Sequence, residues 1–180
     1  MTSTARRDRF EDVAAEVVEP LRRFLARRTD PATADDVLAE TLLVCWRRID
    51  EVPDAPLAWT YGVARLCLAN ADRSARRQRR VAARVATVDP PAVGTPGPGG
   101  ESPQEAAVTE ALGALPVKDA ELLRLWAWEQ LTPAEIAVVL DATPNAVSIR
   151  LHRARGKLRD ELRNIGVGAG HEQSTEGRTP

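Results

Sequence analysis

The feature that most limits what this chain can fold into is the stretch Val88 to Pro103. It reads Val-Asp-Pro-Pro-Ala-Val-Gly-Thr-Pro-Gly-Pro-Gly-Gly-Glu-Ser-Pro. Proline withholds a backbone donor and glycine offers no side chain to pack, so nothing here can nucleate a core. The stretch predicts a linker over 85–104 in the 180-residue chain. It leaves a first domain over 10–84 and a second over 105–165, followed by a polar tail, 166–180, expected to be disordered. Neither half is large, so each must build its core from a few elements.

Both halves predict helices. No useful period-2 pattern occurs, and alanine, leucine and arginine abound. In the first half Val13, Val17, Leu21, Phe24 and Leu25 form one apolar stripe, which Pro20 is expected to kink or split. A second stripe runs Val37, Thr41, Leu42, Cys45, Trp46 and Ile49, with Thr33 or Asp35 as candidate cap. A third helix starts after Asp54 with Pro56 in its first turn, carrying Leu57, Tyr61, Ala64 and Leu68. In the second half, a helix near Glu105 to Leu115 is followed by one starting at Pro116. Then Thr132-Pro133-Ala134-Glu135 has the pattern of a capping box ahead of Ile136, Val139 and Leu140. Asp141-Ala142-Thr143 makes a tight connection, and Thr143-Pro144 opens a helix with Val147, Leu151, Ala154 and Leu158 facing inward. A short helix, a brief turn and a longer basic helix predict a helix-turn-helix. The expected fold class is therefore all-α: two small helical domains on a flexible Pro/Gly-rich linker.

Composition closes several functional classes. At 43% hydrophobic and 28% charged residues the chain has a globular composition. No apolar run approaches the ~20 residues of a membrane span, and the polar start lacks a secretory leader pattern, so a cytoplasmic location without membrane insertion is expected. Cys45 and Cys67 lie in apolar helical patterns and the histidines are only His152 and His171. A zinc site, with its need for about four clustered ligands, is not expected, nor is a nucleophile-histidine pair. Gly94 to Gly100 lacks the Gly-Lys-Ser/Thr ending of a phosphate loop. No cofactor and no enzymatic activity are expected.

The net charge of −1 conceals a segregation. Six arginines and no acid occupy Arg73 to Arg84: Arg73, Arg76, Arg77, Arg79, Arg80 and Arg84. Arg150, Arg153, Arg155, Lys157, Arg159 and Arg163 crowd the last predicted helix, while acids gather at Asp35, Asp36, Glu40, Asp50, Glu51 and Asp54. Separate acidic and basic surfaces predict two kinds of partner. On the helix from Pro144, Asn145, Ser148, Ile149 and His152 point outward, where base edges are read. Arg150, Arg153, Arg155 and Lys157 are suited to phosphates. Trp59, Tyr61 and Asn70 on the helix feeding the first arginine cluster add stacking groups suited to single-stranded nucleic acid, although Trp59 and Tyr61 taken alone are more often core residues than base platforms. Asp36 and Glu40, spaced i, i+4, share a face. They are either a solvated first turn that meets the helix dipole or a docking face for a basic partner.

Two blocks then carry a resemblance. The first is Ala34-Asp35-Asp36-Val37-Leu38-Ala39-Glu40-Thr41 with Trp46, then Ala58-Trp59-Thr60-Tyr61-Gly62-Val63-Ala64-Arg65 and Leu68-Ala69-Asn70. The second is Ala114-Leu115-Pro116, Leu131-Thr132-Pro133-Ala134-Glu135-Ile136-Ala137 and Asn145-Ala146-Val147-Ser148-Ile149-Arg150-Leu151-His152-Arg153-Ala154-Arg155. In this order, across a linker, the chain resembles the extracytoplasmic-function (ECF) sigma factors of bacterial RNA polymerase, from roughly Ala14 to Arg163. The resemblance implies an acidic helix (Asp35, Asp36, Glu40) that docks on core RNA polymerase. It implies a −10 strand site at Trp59, Tyr61, Asn70, Arg73, Arg76 and Arg77. It also implies a −35 duplex site at Asn145, Ser148, Ile149, Arg150, His152, Arg153, Arg155 and Lys157, with promoter DNA and an anti-sigma factor as further partners. Ala39 stands where the family often has glutamine, Leu66 where many members have asparagine, and Asp72 sets an acid beside the arginines. The rival reading of the same pattern is a stand-alone helix-turn-helix regulator with a helical sensor or dimerisation domain.

Overall fold

The structure, a computed structural model, describes residues 3–85 and 102–166, with side chains as far as Arg80 in the first stretch. Most of the expected linker, the Arg84 side chain and nearly all of the expected tail lie outside the described residues. The described residues are helical throughout, without a strand. The order is α1 (Ser3–Ala26), α2 (Pro31–Arg47), a 3-10 turn (Ile49–Glu51), α3 (Pro56–Val85), α4 (Pro103–Ala114), α5 (Val117–Ala127), α6 (Pro133–Leu140) and α7 (Pro144–Asn164). The all-α class is as the sequence predicts. Two compact units result: α1, α2 and α3 fall in the first together with residues 134–142, and α4, α5 and α7 in the second.

In the first unit α1, α2 and α3 pack against one another in every pairing. Val17, Leu21, Phe24 and Leu25 of α1 have no exposed surface, nor do Cys45 of α2 and Ala64 of α3. Phe24 meets Tyr61 with ring centroids 4.9 Å apart. Two buried hydroxyls find partners within their own helices: Thr41 donates to the Val37 carbonyl at 2.7 Å and Thr60 to the Leu57 carbonyl at 2.9 Å. Neither leaves an unpaired polar group in the core.

Two local expectations are corrected. α1 is not split at Pro20; the helix continues from Ser3 to Ala26 with the proline inside. An interior proline costs about 3 kcal/mol. The buried side chains on both sides of it each contribute about 1.5–3 kcal/mol, and only a continuous helix presents them on one face. The cap of α2 is Asp30, not Thr33 or Asp35. Its Oδ1 accepts from the Thr33 backbone N–H at 3.0 Å, its Oδ2 from the Thr33 hydroxyl at 2.7 Å, and Pro31 takes the first helical position.

α1 also begins earlier than the expected domain start at residue 10. Arg6 bridges to Asp50 at 3.0 Å and donates to the carbonyls of Trp46 and Arg47 at 2.8 and 3.2 Å. Those carbonyls end α2 without intrahelical partners, and Arg6 satisfies them. Arg9 does the same for the Val52 carbonyl at 2.6 Å.

In the second unit α7 packs on α4 and α5, and α4 on α5. Leu122 and Leu125 of α5 and Val147 of α7 have no exposed surface. A capping box starts α4: the Glu105 N–H donates to Ser102 Oγ at 3.3 Å, and the Ser102 N–H to Glu105 Oε2 at 2.7 Å. Thr143 caps α7 by accepting from the Ala146 N–H at 3.3 Å, as its sequence predicts.

Truncating Phe24 to alanine removes a ring with no exposed surface. Phe24→Ala is expected to destabilise the first unit by about 3–5 kcal/mol in a denaturant titration. The hydrogen bonds from Thr33 hold the Asp30 carboxyl below its ordinary pKa. The cap's contribution is therefore present above that ordinary value and fades as pH falls through the lowered one. Asp30→Ala should lower Tm at pH 7 and lose less of its Tm than the parent chain on acidification.

Candidate nucleic-acid interface

Once Val37, Leu38, Thr41 and Cys45 are turned into the core, the period of α2 leaves Asp36, Ala39, Glu40 and Leu43 on its exposed side. Asp35 is exposed beside them and lies 3.8 Å from Arg22 of α1. Leu43 is 44% and Trp46 37% exposed, so the face is acidic at its start and apolar toward its end. The sequence stripe placed Trp46 in the core and did not single out Leu43. An apolar run of Leu42 and Leu43 does not reveal by itself which member turns outward, and Leu42 is the half-buried one. On the surface, Phe10 meets the Trp46 ring edge-on at 5.4 Å and Arg6 lies 5.5 Å from its centroid.

α3 divides along its length. Its first half is anchored by Ala58, Tyr61, Ala64 and Cys67. Beyond it Asn70, Arg73, Arg76, Arg77, Arg79 and Arg80 are all exposed. Arg73 donates to the Asn70 side-chain oxygen. Trp59 is half-buried, with Arg48 5.5 Å from its ring centroid. Tyr61 departs from the expected set. It is 3% exposed and packed on Phe24, so its ring belongs to the core and has no face to offer a base. Leu66, by contrast, is 58% exposed.

On α7, burial of Val147, Leu151 and Ala154 turns Asn145, Ser148, Ile149, His152, Arg153, Arg155 and Lys157 to the surface, with Arg150 half-buried. The cations differ in their engagements. Lys157 is paired with Asp119 of α5 at 2.7 Å, and Arg155 lies 4.7 Å from the centroid of Trp126. Both side chains are thereby tied to α5, which sequence spacing cannot show.

Comparison with known proteins decides what such surfaces belong to. Residues 105–158 match the model of Sigma-70, region 4. Over 151 residues the chain is 30% identical to the ECF RNA polymerase sigma factor SigL of Mycobacterium tuberculosis, covering 82% of this chain and 85% of that one. The chain belongs to the ECF RNA polymerase sigma factors. It is also 29% identical over 154 residues to the RNA polymerase sigma-E factor of Streptomyces avermitilis, covering 85% and 84% of the two chains. The sigma factor RpoE of Bartonella quintana, solved in complex with the anti-sigma factor NepR, shares the fold. Its TM-score is 0.60 at 20% identity, over 86% of this chain and 96% of that one.

This ECF sigma factor has no group of three or more His, Cys, Asp or Glu able to hold a metal ion among its described residues. No described helix is long and apolar enough to cross a membrane. Its two thiols are buried. Burial pushes Cys45 up to about 11, and raises Cys67 too, with the charge of Glu40 adding to the effect. Thiolate, the reactive form, is thus suppressed at neutral pH. Native protein is expected to react with a thiol reagent far more slowly than urea-unfolded protein, in which both cysteines titrate at once.

Proposed function

We propose that this ECF sigma factor docks on core RNA polymerase through α2, engages the −10 strand through α3 and reads the −35 duplex through α7. The observation that carries the reading is the placement of opposite charge on different exposed faces of the first unit. Asp36 and Glu40 stand out from α2, while Arg73, Arg76 and Arg77 stand out from the far half of α3. A basic protein surface fits the first face and phosphate the second.

In this reading Asp35, Asp36 and Glu40 steer and orient the polymerase, and Leu43 adds apolar contact beside them. Arg73, Arg76 and Arg77 neutralise phosphates of the melted strand, while Trp59 and Asn70 approach its bases. Tyr61 supports α3 from within the core. Asn145, Ser148, Ile149 and His152 face base edges, and Arg150, Arg153, Arg155 and Lys157 set the register through phosphates. The protein acts as a cytoplasmic regulatory factor without chemistry of its own. An anti-sigma factor covers its docking surfaces, an arrangement supported by the complex in which the Bartonella relative was solved.

The test is run-off transcription with bacterial core polymerase, this protein and genomic fragments, followed by sequencing of transcript starts. Starts that share −35 and −10 motifs are expected. Asp36→Arg with Glu40→Arg should abolish them while leaving the helical circular dichroism signal intact. With a net charge of −1 the free chain should bind duplex only weakly at physiological salt. Tight, promoter-specific binding by the free protein, with no transcripts in the presence of core, would overturn the proposal.

A further inference from the structure

α7 presents Asn145, Ser148, Ile149 and His152 on one exposed row, at spacing i, i+3, i+4 and i+7. Three of the four are polar. Ile149 is not, and it is 46% exposed. Packing does not account for it, because the buried stripe of α7 is Val147, Leu151 and Ala154. Nor does helix propensity, since a β-branched residue is a poorer choice than alanine or leucine at an exposed helical position. Its branching does hold the side chain in one preferred rotamer, so the exposed hydrocarbon has a fixed direction.

The neighbours narrow what that direction can meet. Ser148 donates its hydroxyl proton to the Pro144 carbonyl at 2.9 Å, which leaves its lone pairs facing outward. An acceptor there suits the exocyclic amine of adenine or cytosine, not the acceptor atoms of guanine or thymine. Arg153, exposed four residues beyond Ile149, is the side chain of this face suited to guanine, whereas Ile149 itself can make no hydrogen bond. In the major groove the apolar feature on a base edge is the thymine C5-methyl.

We infer that Ile149 is a specificity-determining residue that packs on the C5-methyl of one thymine in the −35 duplex. The contact selects thymine by its methyl and not by a hydrogen bond. The inference deepens the role proposed for α7 and rests on it.

The test uses holoenzyme reconstituted from core polymerase and the full chain on a promoter mapped by run-off transcription. Each thymine of the −35 element, on either strand, is replaced in turn by deoxyuridine, which removes the methyl and keeps the base pair. One position is expected to lower holoenzyme affinity about fourfold, the value of about one buried methyl-sized group. Ile149→Ala holoenzyme should bind the thymine promoter about fourfold less tightly and be indifferent to deoxyuridine at that position. Ile149→Val should remain sensitive. Normal promoter binding with no sensitive position overturns the inference and leaves the role of α7 standing, and so does undiminished sensitivity in Ile149→Ala. Failure of the holoenzyme to initiate at any shared motif overturns the underlying role, and the inference with it.

Discussion

Burial of one stripe on each of α1, α2 and α3 is the constraint on which the rest of the first unit depends. A helix in a three-helix core has one side to give and must leave the other in water. Once Val37, Leu38, Thr41 and Cys45 go inward, Asp36 and Glu40 have nowhere to be except outside. The same holds for α3, where Tyr61, Ala64 and Cys67 anchor the first half. The arginine-rich second half carries no such buried residues among those described, and its side chains stay exposed. The charged surfaces are thus consequences of where the apolar residues were spent.

The second unit applies the same logic to a smaller core. Val147, Leu151 and Ala154 fix the rotation of α7, and that rotation decides that Asn145, Ser148, Ile149 and His152 share the outward row. Proline and a hydroxyl cap set where α7 begins, so the outward row stands in its first turns. Lys157 and Arg155, further along, are held against Asp119 and Trp126. These contacts restrict where the two cations sit.

Much of this was legible because helical proteins advertise themselves locally. The apolar stripe of α1, the start of α3 at Pro56 and the Thr143 cap of α7 need only a 3.6-residue period and a few side-chain types. What failed to show was whatever depends on a neighbour far along the chain. Pro20 signals a kink or a split, and only the buried residues around it say that the helix persists. Arg6 looks like one of several solvated charges near the start, until Trp46, Arg47 and Asp50 are brought to it. Tyr61 has the chemistry for base stacking as well as for the core, and the ring of Phe24 places it in the core. Leu43 and Leu42 are chemically alike, so only helix rotation separates an exposed residue from a packing one.

By itself the sequence determined the helical class, the family and the identity of the charged clusters. Those follow from short-range backbone chemistry and from motifs contiguous in the chain. The tertiary structure alone decided which side chains of each cluster are presented and which are engaged: Asp36 and Glu40 outward, Tyr61 inward, Lys157 on Asp119, Ile149 partly exposed within its row. Exposure is a property of packing between segments distant in sequence, and no local period encodes it.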